Sequence, residues 1–175
     1  MLDGRELQRD EIETVWSIDR SEWIENVYAL VDGELLLRPD PFDLQGWPAG
    51  EQQCYTPLLA ACYERGGWFY GLFDEARLVA VAALENKLIG ARHDLLQLKF
   101  LQVSRPYRGQ GLGKRLFELA AGRARAQGAG GLYVSATPSE HTIDFYLRRG
   151  CRLIHEPDPE LWALEPEDIH LECML

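Results

Sequence analysis

The stretch Leu95-Leu96-Gln97-Leu98-Lys99-Phe100-Leu101-Gln102-Val103 constrains this chain more than any other. Read as a strand, it carries apolar side chains on both alternating phases, so it belongs at the centre of a sheet covered on both faces. Residues 111 to 127 then read as a helix, with Leu112, Leu116, Leu119 and Ala120 on one face and Gly128 beyond its end, followed by a strand over 132 to 136. A strand, helix, strand unit of this kind specifies an α/β architecture.

The flanks extend that unit. Residues 68 to 73 and 78 to 84, joined by a turn at 74 to 77, read as an antiparallel strand pair. Ser139 is placed to cap a helix over 140 to 149 that carries Ile143, Tyr146 and Leu147 at helical spacing and closes at Gly150. A strand over 151 to 155, an acidic excursion punctuated by Pro157, Pro159 and Pro166, and a last strand over 169 to 174 follow. Upstream, Ile12, Val15, Trp16 and Ile18 lie near helical spacing, and Asp32-Gly33 reads as a hairpin turn or a short helix exit. Pro39, Pro41, Gly46, Pro48 and Gly50 mark a loop holding Phe42 and Trp47, before a helix from about 51 to 63. The predicted fold is a mixed, mostly antiparallel central sheet flanked by helices, in one domain over residues 1–175, long enough to bury a core without disulfide or metal.

Charge is distributed unevenly. The net charge is −10, yet residues 99 to 155 hold 10 basic and 3 acidic side chains, while residues 1 to 75 hold 16 acidic and 5 basic ones, and the last twenty hold 7 acids and no base. Overall acidity argues against nucleic acid and anionic membranes as partners, and a basic block inside an acidic chain points to a local site for a small anion. The cysteines, Cys54, Cys62, Cys151 and Cys173, show no metal-ligand spacing and no cluster with histidine, so no metal site is expected and they read as buried, reduced thiols. An acidic start and no apolar run near the length of a bilayer crossing lead to the expectation of a cytoplasmic protein.

The basic block contains Val103-Ser104-Arg105-Pro106-Tyr107-Arg108-Gly109-Gln110-Gly111-Leu112-Gly113-Lys114, a strand end running into a helix start. Unpaired N–H groups of a first helical turn, approached over side-chain-free glycines, suit a phosphate. The spacing fits neither a dinucleotide fingerprint, since Lys114 stands where the third glycine is required, nor a P-loop, since Arg108 and Arg115 stand where Gly and Ser or Thr are required.

Arg108-x-x-Gly111-x-Gly113 after a strand resembles the acetyl-CoA pyrophosphate loop of the GNAT superfamily of N-acetyltransferases. Ser135-Ala136-Thr137-Pro138-Ser139 and Phe145-Tyr146-Leu147-Arg148-Arg149-Gly150-Cys151 are similar to that family's next strand and helix, so the specific likeness covers about residues 95–155. The resemblance implies a GNAT-like acyl-CoA N-acyltransferase fold and acetyl-CoA as cosubstrate. By that analogy the backbone of Leu101, Gln102 and Val103 pairs with the pantetheine arm, and amides of Arg108, Gly109, Gln110, Gly111, Leu112, Gly113 and Lys114 hold the pyrophosphate. Ser139 stands where many members carry an Asn that contacts CoA, and Tyr146 matches the tyrosine that protonates or hydrogen-bonds the CoA sulfur.

The implied reaction is direct attack of an acceptor amine on the thioester, with Tyr146 as general acid and no acyl-enzyme. Glu85, Asp158 and Glu160 are candidate bases, with water relays an equal alternative. The acceptor, a small molecule or a peptide amine, is expected to meet the parts outside the motif: Tyr28, Phe42, Trp47, Trp162 and nearby acids, with core packing the favoured reading of Trp47 and Trp162 taken singly. His93, His141, His155 and His170 read as surface or strand residues. The basic middle would then serve the cosubstrate and the acidic flanks the amine. A non-catalytic acyl-CoA sensor is the alternative function, and a homodimer is left open.

Overall fold

The computed structural model describes residues 1–175. It contains β1 (Asp3–Glu6), a 3₁₀ segment (Arg9–Ser17), β2 (Glu22–Val31), β3 (Glu34–Leu44), α1 (Glu51–Glu64), β4 (Trp68–Asp74), β5 (Arg77–Ile89), β6 (Leu95–Val103), α2 (Leu112–Ala126), β7 (Gly131–Ala136), α3 (Glu140–Leu147), β8 (Arg152–Leu153), α4 (Pro159–Leu164) and β9 (Ile169–Met174). Seven strands form one sheet in the order β1-β4-β5-β6-β7-β9-β8, and β2 and β3 form a separate hairpin. The β6–β7 pair, joined through α2, is parallel, whereas β1–β4, β4–β5, β7–β9 and β8–β9 are antiparallel. This is the mixed, mostly antiparallel α/β sheet expected.

By proximity in space the residues group into two compact units, residues 1–22, 44–86 and 98–123 in one and 23–43, 87–97 and 124–175 in the other. In the first, Leu7, Ile12, Val15, Ile18, Leu59, Phe69, Val81 and Phe100 form a buried cluster, against which Trp16, Trp47 and Tyr63 pack. Trp47 stacks on Phe100 with centroids 5.6 Å apart and donates its indole N–H to the Ile18 carbonyl at 3.0 Å. In the second, β7, β9 and α3 bury Leu132, Val134, Ile143, Tyr146 and Leu171.

The hairpin reading of Asp32-Gly33 is correct: both residues have positive φ, 50° and 80°, as a two-residue turn between right-twisted strands requires. Several boundaries differ from expectation. The supposed loop at Pro39 and Pro41 is the second half of β3, which tolerates prolines because an outer strand leaves one row of N–H positions unused by the ladder. The strand after Gly150 shrinks to Arg152–Leu153. The acidic excursion contains α4, capped by Asp158, whose carboxylate accepts from the N–H groups of Glu160 and Leu161, with Pro159 in the first turn.

The cysteine expectation also needs correction. Cys151 and Cys173 form a disulfide, and Cys54 is exposed; Cys62 alone is a buried thiol. The β8–β9 register explains the pairing, because Arg152 opposite Glu172 sets Cys151 opposite Cys173 in an antiparallel pair.

Candidate functional site

The loop after β6 is held from beneath. Ser104 is buried; its N–H donates to the Val79 carbonyl at 2.8 Å, and its hydroxyl accepts from the Asp19 N–H at 3.0 Å. Arg108 is half-buried and turned inward, donating to the carbonyls of Val103 (2.9 Å), Ser21 (3.1 Å) and Asp19 (3.3 Å), with Glu22 3.9 Å away. Burial lowers its guanidinium below the ordinary value, the Glu22 and Asp19 charges opposing. The Arg108 side chain thus staples the loop to residues 19 to 22, and because its own N–H donates to the Arg105 carbonyl at 3.2 Å, the amides after it are the part that can face a ligand.

Above that staple the loop is open. Gly109 and Gly111 have φ of 75° and 79°, a conformation other residues adopt at a cost, and a Cβ at either position would meet nothing within 4 Å. The first intrahelical bond of α2 runs from the Arg115 N–H to the Gly111 carbonyl at 3.0 Å, so the N–H groups of Leu112, Gly113 and Lys114 have no partner within the helix. Lys114 is exposed, 3.8 Å from Glu118. A rigid turn, clear space before two glycines, free helical amides and an exposed cation fit a diphosphate. The β6–β7 register covers Leu95–Gln97, so Leu101, Gln102 and Val103 lie past its last pair.

Ser139 and Tyr146 lie on α3. Ser139 caps the helix as expected: its hydroxyl accepts from the Thr142 N–H at 3.4 Å and donates to the Thr142 hydroxyl at 2.9 Å. The β2–β3 hairpin braces this helix. Val27 bridges Ser139, the Tyr28 N–H donates to the Pro138 carbonyl at 2.8 Å, the Tyr28 hydroxyl to Asp144 at 2.8 Å, and the Asn26 amide to Glu140 at 2.7 Å. Tyr146 is buried, and burial pushes its phenol above the ordinary value, the nearby Arg149 charge opposing. It is therefore a neutral hydroxyl across the physiological range.

The candidate bases are engaged otherwise. Asp158 is the α4 cap, and Glu160 is exposed in the first turn of the same helix. Glu85 is buried: Arg65 grips it with two bonds, at 2.7 and 3.3 Å, the Asn86 N–H donates to it at 3.1 Å, and the Lys99 ammonium lies 3.8 Å away. Burial alone would raise this carboxyl, but the Arg65 and Asn86 bonds and the two cations outweigh it and leave it below its ordinary value. A carboxylate so stabilised is a poor base.

Among the aromatics, Trp47 is core, Tyr28 braces α3, and Phe42 and Trp162 are exposed. His170, expected as a strand residue, sits on β9 and is buried; the Tyr133 hydroxyl is hydrogen-bonded to its Nδ1 at 2.7 Å and accepts from the Asp158 N–H at 3.0 Å. That junction ties the excursion to β7 and β9. It and the Glu85–Lys99 pair were not singled out by sequence, because both join residues far apart along the chain.

A model of the acetyltransferase (GNAT) family matches residues 30–151. No curated protein sequence matches the chain. Among solved structures, a nourseothricin acetyltransferase is similar at 18% identity over 99% of this chain and 98% of its own, with a TM-score of 0.74. A GNAT-family acetyltransferase from Staphylococcus aureus Mu50 is 17% identical over 100% and 99%, with a TM-score of 0.71. A Thermoplasma acidophilum PaiA N-acetyltransferase in complex with coenzyme A is 16% identical over 100% and 99%, with a TM-score of 0.64. No helix is long and apolar enough to cross a membrane.

Proposed function

Because the chain belongs to the GNAT acetyltransferase family and is an acetyl-CoA-dependent acyltransferase, we propose that it acts as one catalytic domain that moves the acetyl group to a primary amine, with Tyr146 as general acid. The observation that carries this reading is the loop before α2, where Gly109 and Gly111 open onto clear space while Arg108 holds the turn from below. In it the amides of residues 109 to 114 bind the pyrophosphate, the Arg108 N–H being engaged with the Arg105 carbonyl at 3.2 Å, and the backbone of Leu101, Gln102 and Val103 aligns the pantetheine arm. Ser139 keeps α3 capped and leaves a weaker contact than a longer side chain would make.

Acetyl-CoA supplies an activated thioester. The acceptor amine gives its proton to water and forms the new N–C bond as the C–S bond breaks. Tyr146 then protonates the departing thiolate and regains a proton from solvent. Burial keeps the Tyr146 phenol protonated at neutral pH, so the proton is in place when the thiolate departs. The acidic first 75 and last twenty residues support a cationic acceptor.

Calorimetry with CoA tests the binding half. The wild type should bind and Gly111→Asp should weaken binding by more than tenfold, through a strained φ and a carboxylate set against phosphate; no binding by the wild type would sink the proposal. Thiol release with an amine panel tests the other half. Tyr146→Phe should lower kcat by about 100-fold or more with CoA affinity held, whereas CoA binding without turnover on any amine would point to a sensor.

A further inference from the structure

The Lys99 ammonium is a largely buried and sparsely compensated charge. Its side chain is 10% exposed, and its one polar neighbour is the Glu85 carboxylate at 3.8 Å, beyond hydrogen-bond reach. That carboxylate is already shared with Arg65 through two bonds and with the Asn86 N–H. The Cys62 thiol beside this cluster donates to the Leu84 carbonyl and is pushed up to about 12, first by burial and then by the Glu85 charge, so it carries no charge. Two cations therefore face one carboxylate. The half-exposed Arg65 can be balanced by solvent, but Lys99 cannot to the same degree. An ammonium with three donors that ends a largely buried side chain, makes no hydrogen bond to a protein group and still reaches solvent is set up to receive an acceptor oxygen from elsewhere.

Its place on the strand says where that oxygen comes from. Lys99 is on β6, two residues, or about 7 Å, before Leu101. In the acetyltransfer reading, on which this inference rests, the loop at 108 to 114 takes the pyrophosphate and residues 103 to 101 take the arm. The thioester end is then directed along the strand toward residue 99. We propose that the Lys99 ammonium is the receptor for a carboxylate carried by one of the two substrates, either on the amine acceptor or at the end of a dicarboxylic acyl chain. The site thereby selects an anionic substituent near the transferred acyl group.

Two calorimetric comparisons separate the sources. In the acyl arm, succinyl-CoA is compared with acetyl-CoA. In the acceptor arm, L-lysine is compared with 1,5-diaminopentane, its decarboxylated counterpart, on the CoA-loaded protein. The carboxylated member of one pair should bind at least tenfold more tightly, as expected for a hydrogen bond to a charged group. The preference should collapse in Lys99→Met and return in Lys99→Arg. Preference in the acyl arm assigns the carboxylate to the acyl chain, and preference in the acceptor arm assigns it to the amine. No preference in either arm with acetyl-CoA bound, or a preference that survives Lys99→Met, overturns the proposal. If acetyl-CoA itself fails to bind, the acetyltransfer reading fails first and this proposal with it.

Discussion

Arg108 and Lys99 are both cations sunk beside the same strand, and they are treated in opposite ways. Arg108 spends its planar fork on three carbonyls, at 2.9, 3.1 and 3.3 Å, and its charge is faced by Glu22. Lys99 has a single carboxylate at 3.8 Å that is already committed to Arg65. A guanidinium can satisfy several fixed acceptors at once, so it is suited to hold a loop; an ammonium left without such acceptors is suited to wait for a ligand. Charge and burial alone do not distinguish a structural cation from a binding one. The count of satisfied donors does.

Breaking Arg108 should have the largest effect. Arg108→Ala leaves the Val103, Ser21 and Asp19 carbonyls without their donor and frees the turn that presents Gly109 and Gly111. We expect a loss of about 3 kcal/mol, read as a lower urea midpoint at unchanged m-value, together with weaker CoA binding. Stability held within about 0.5 kcal/mol would show that the staple carries no weight.

Glu85→Gln comes next. It removes the only counter-charge near Lys99 and one of the acceptors of Arg65, and should cost about 2 kcal/mol near neutral pH, discounted because Arg65 is half-exposed. The pH dependence has a definite sign. The folded Glu85 carboxyl lies below its ordinary value, so its contribution is complete above the unfolded value, about 4.3, and is lost as pH falls through the folded one. The gap between wild type and Glu85→Gln should therefore narrow on acidification below about pH 4.3. A gap that stays constant or widens there would contradict the assignment.

How much of this was legible in the chain follows from how local each feature is. The bounds of β6 could be read from its apolar run on both phases, those of β9 from side-chain alternation, and the α3 start from the Ser139 cap, because each depends on neighbours within a few residues. The glycine loop was legible for the same reason. Illegible parts rest on distant partners. β1 is a polar tetrapeptide that is a strand only because β4 pairs with it. β3 runs through two prolines because it lies on the outside of its hairpin. The Cys151–Cys173 disulfide follows from strand register, and the Lys99 deficit from two strands and the end of a helix meeting around Glu85. The Asp158-Pro159 start of α4 did carry a local signal, a capping side chain before a first-turn proline, hidden among other prolines.

The smallest effect on stability should come from Lys99→Met, and that smallness is the sharpest form of the contrast with Arg108. If Lys99 were a structural ion-pair partner, removing it would leave Glu85 under-compensated and cost as much as removing Glu85 does. But Glu85 keeps both Arg65 bonds and the Asn86 N–H without it, while the ammonium's own desolvation is relieved. Methionine keeps most of the aliphatic stem in place. Removing one partner of a buried pair is costly because the other is left uncompensated, and Glu85 is not left so, which is why the urea midpoint of Lys99→Met should stay within about 1 kcal/mol of the wild type. A loss above about 2 kcal/mol would place Lys99 with Arg108 among the structural cations. Unchanged stability with a lost carboxylate preference would mean that this buried charge is kept for what it binds.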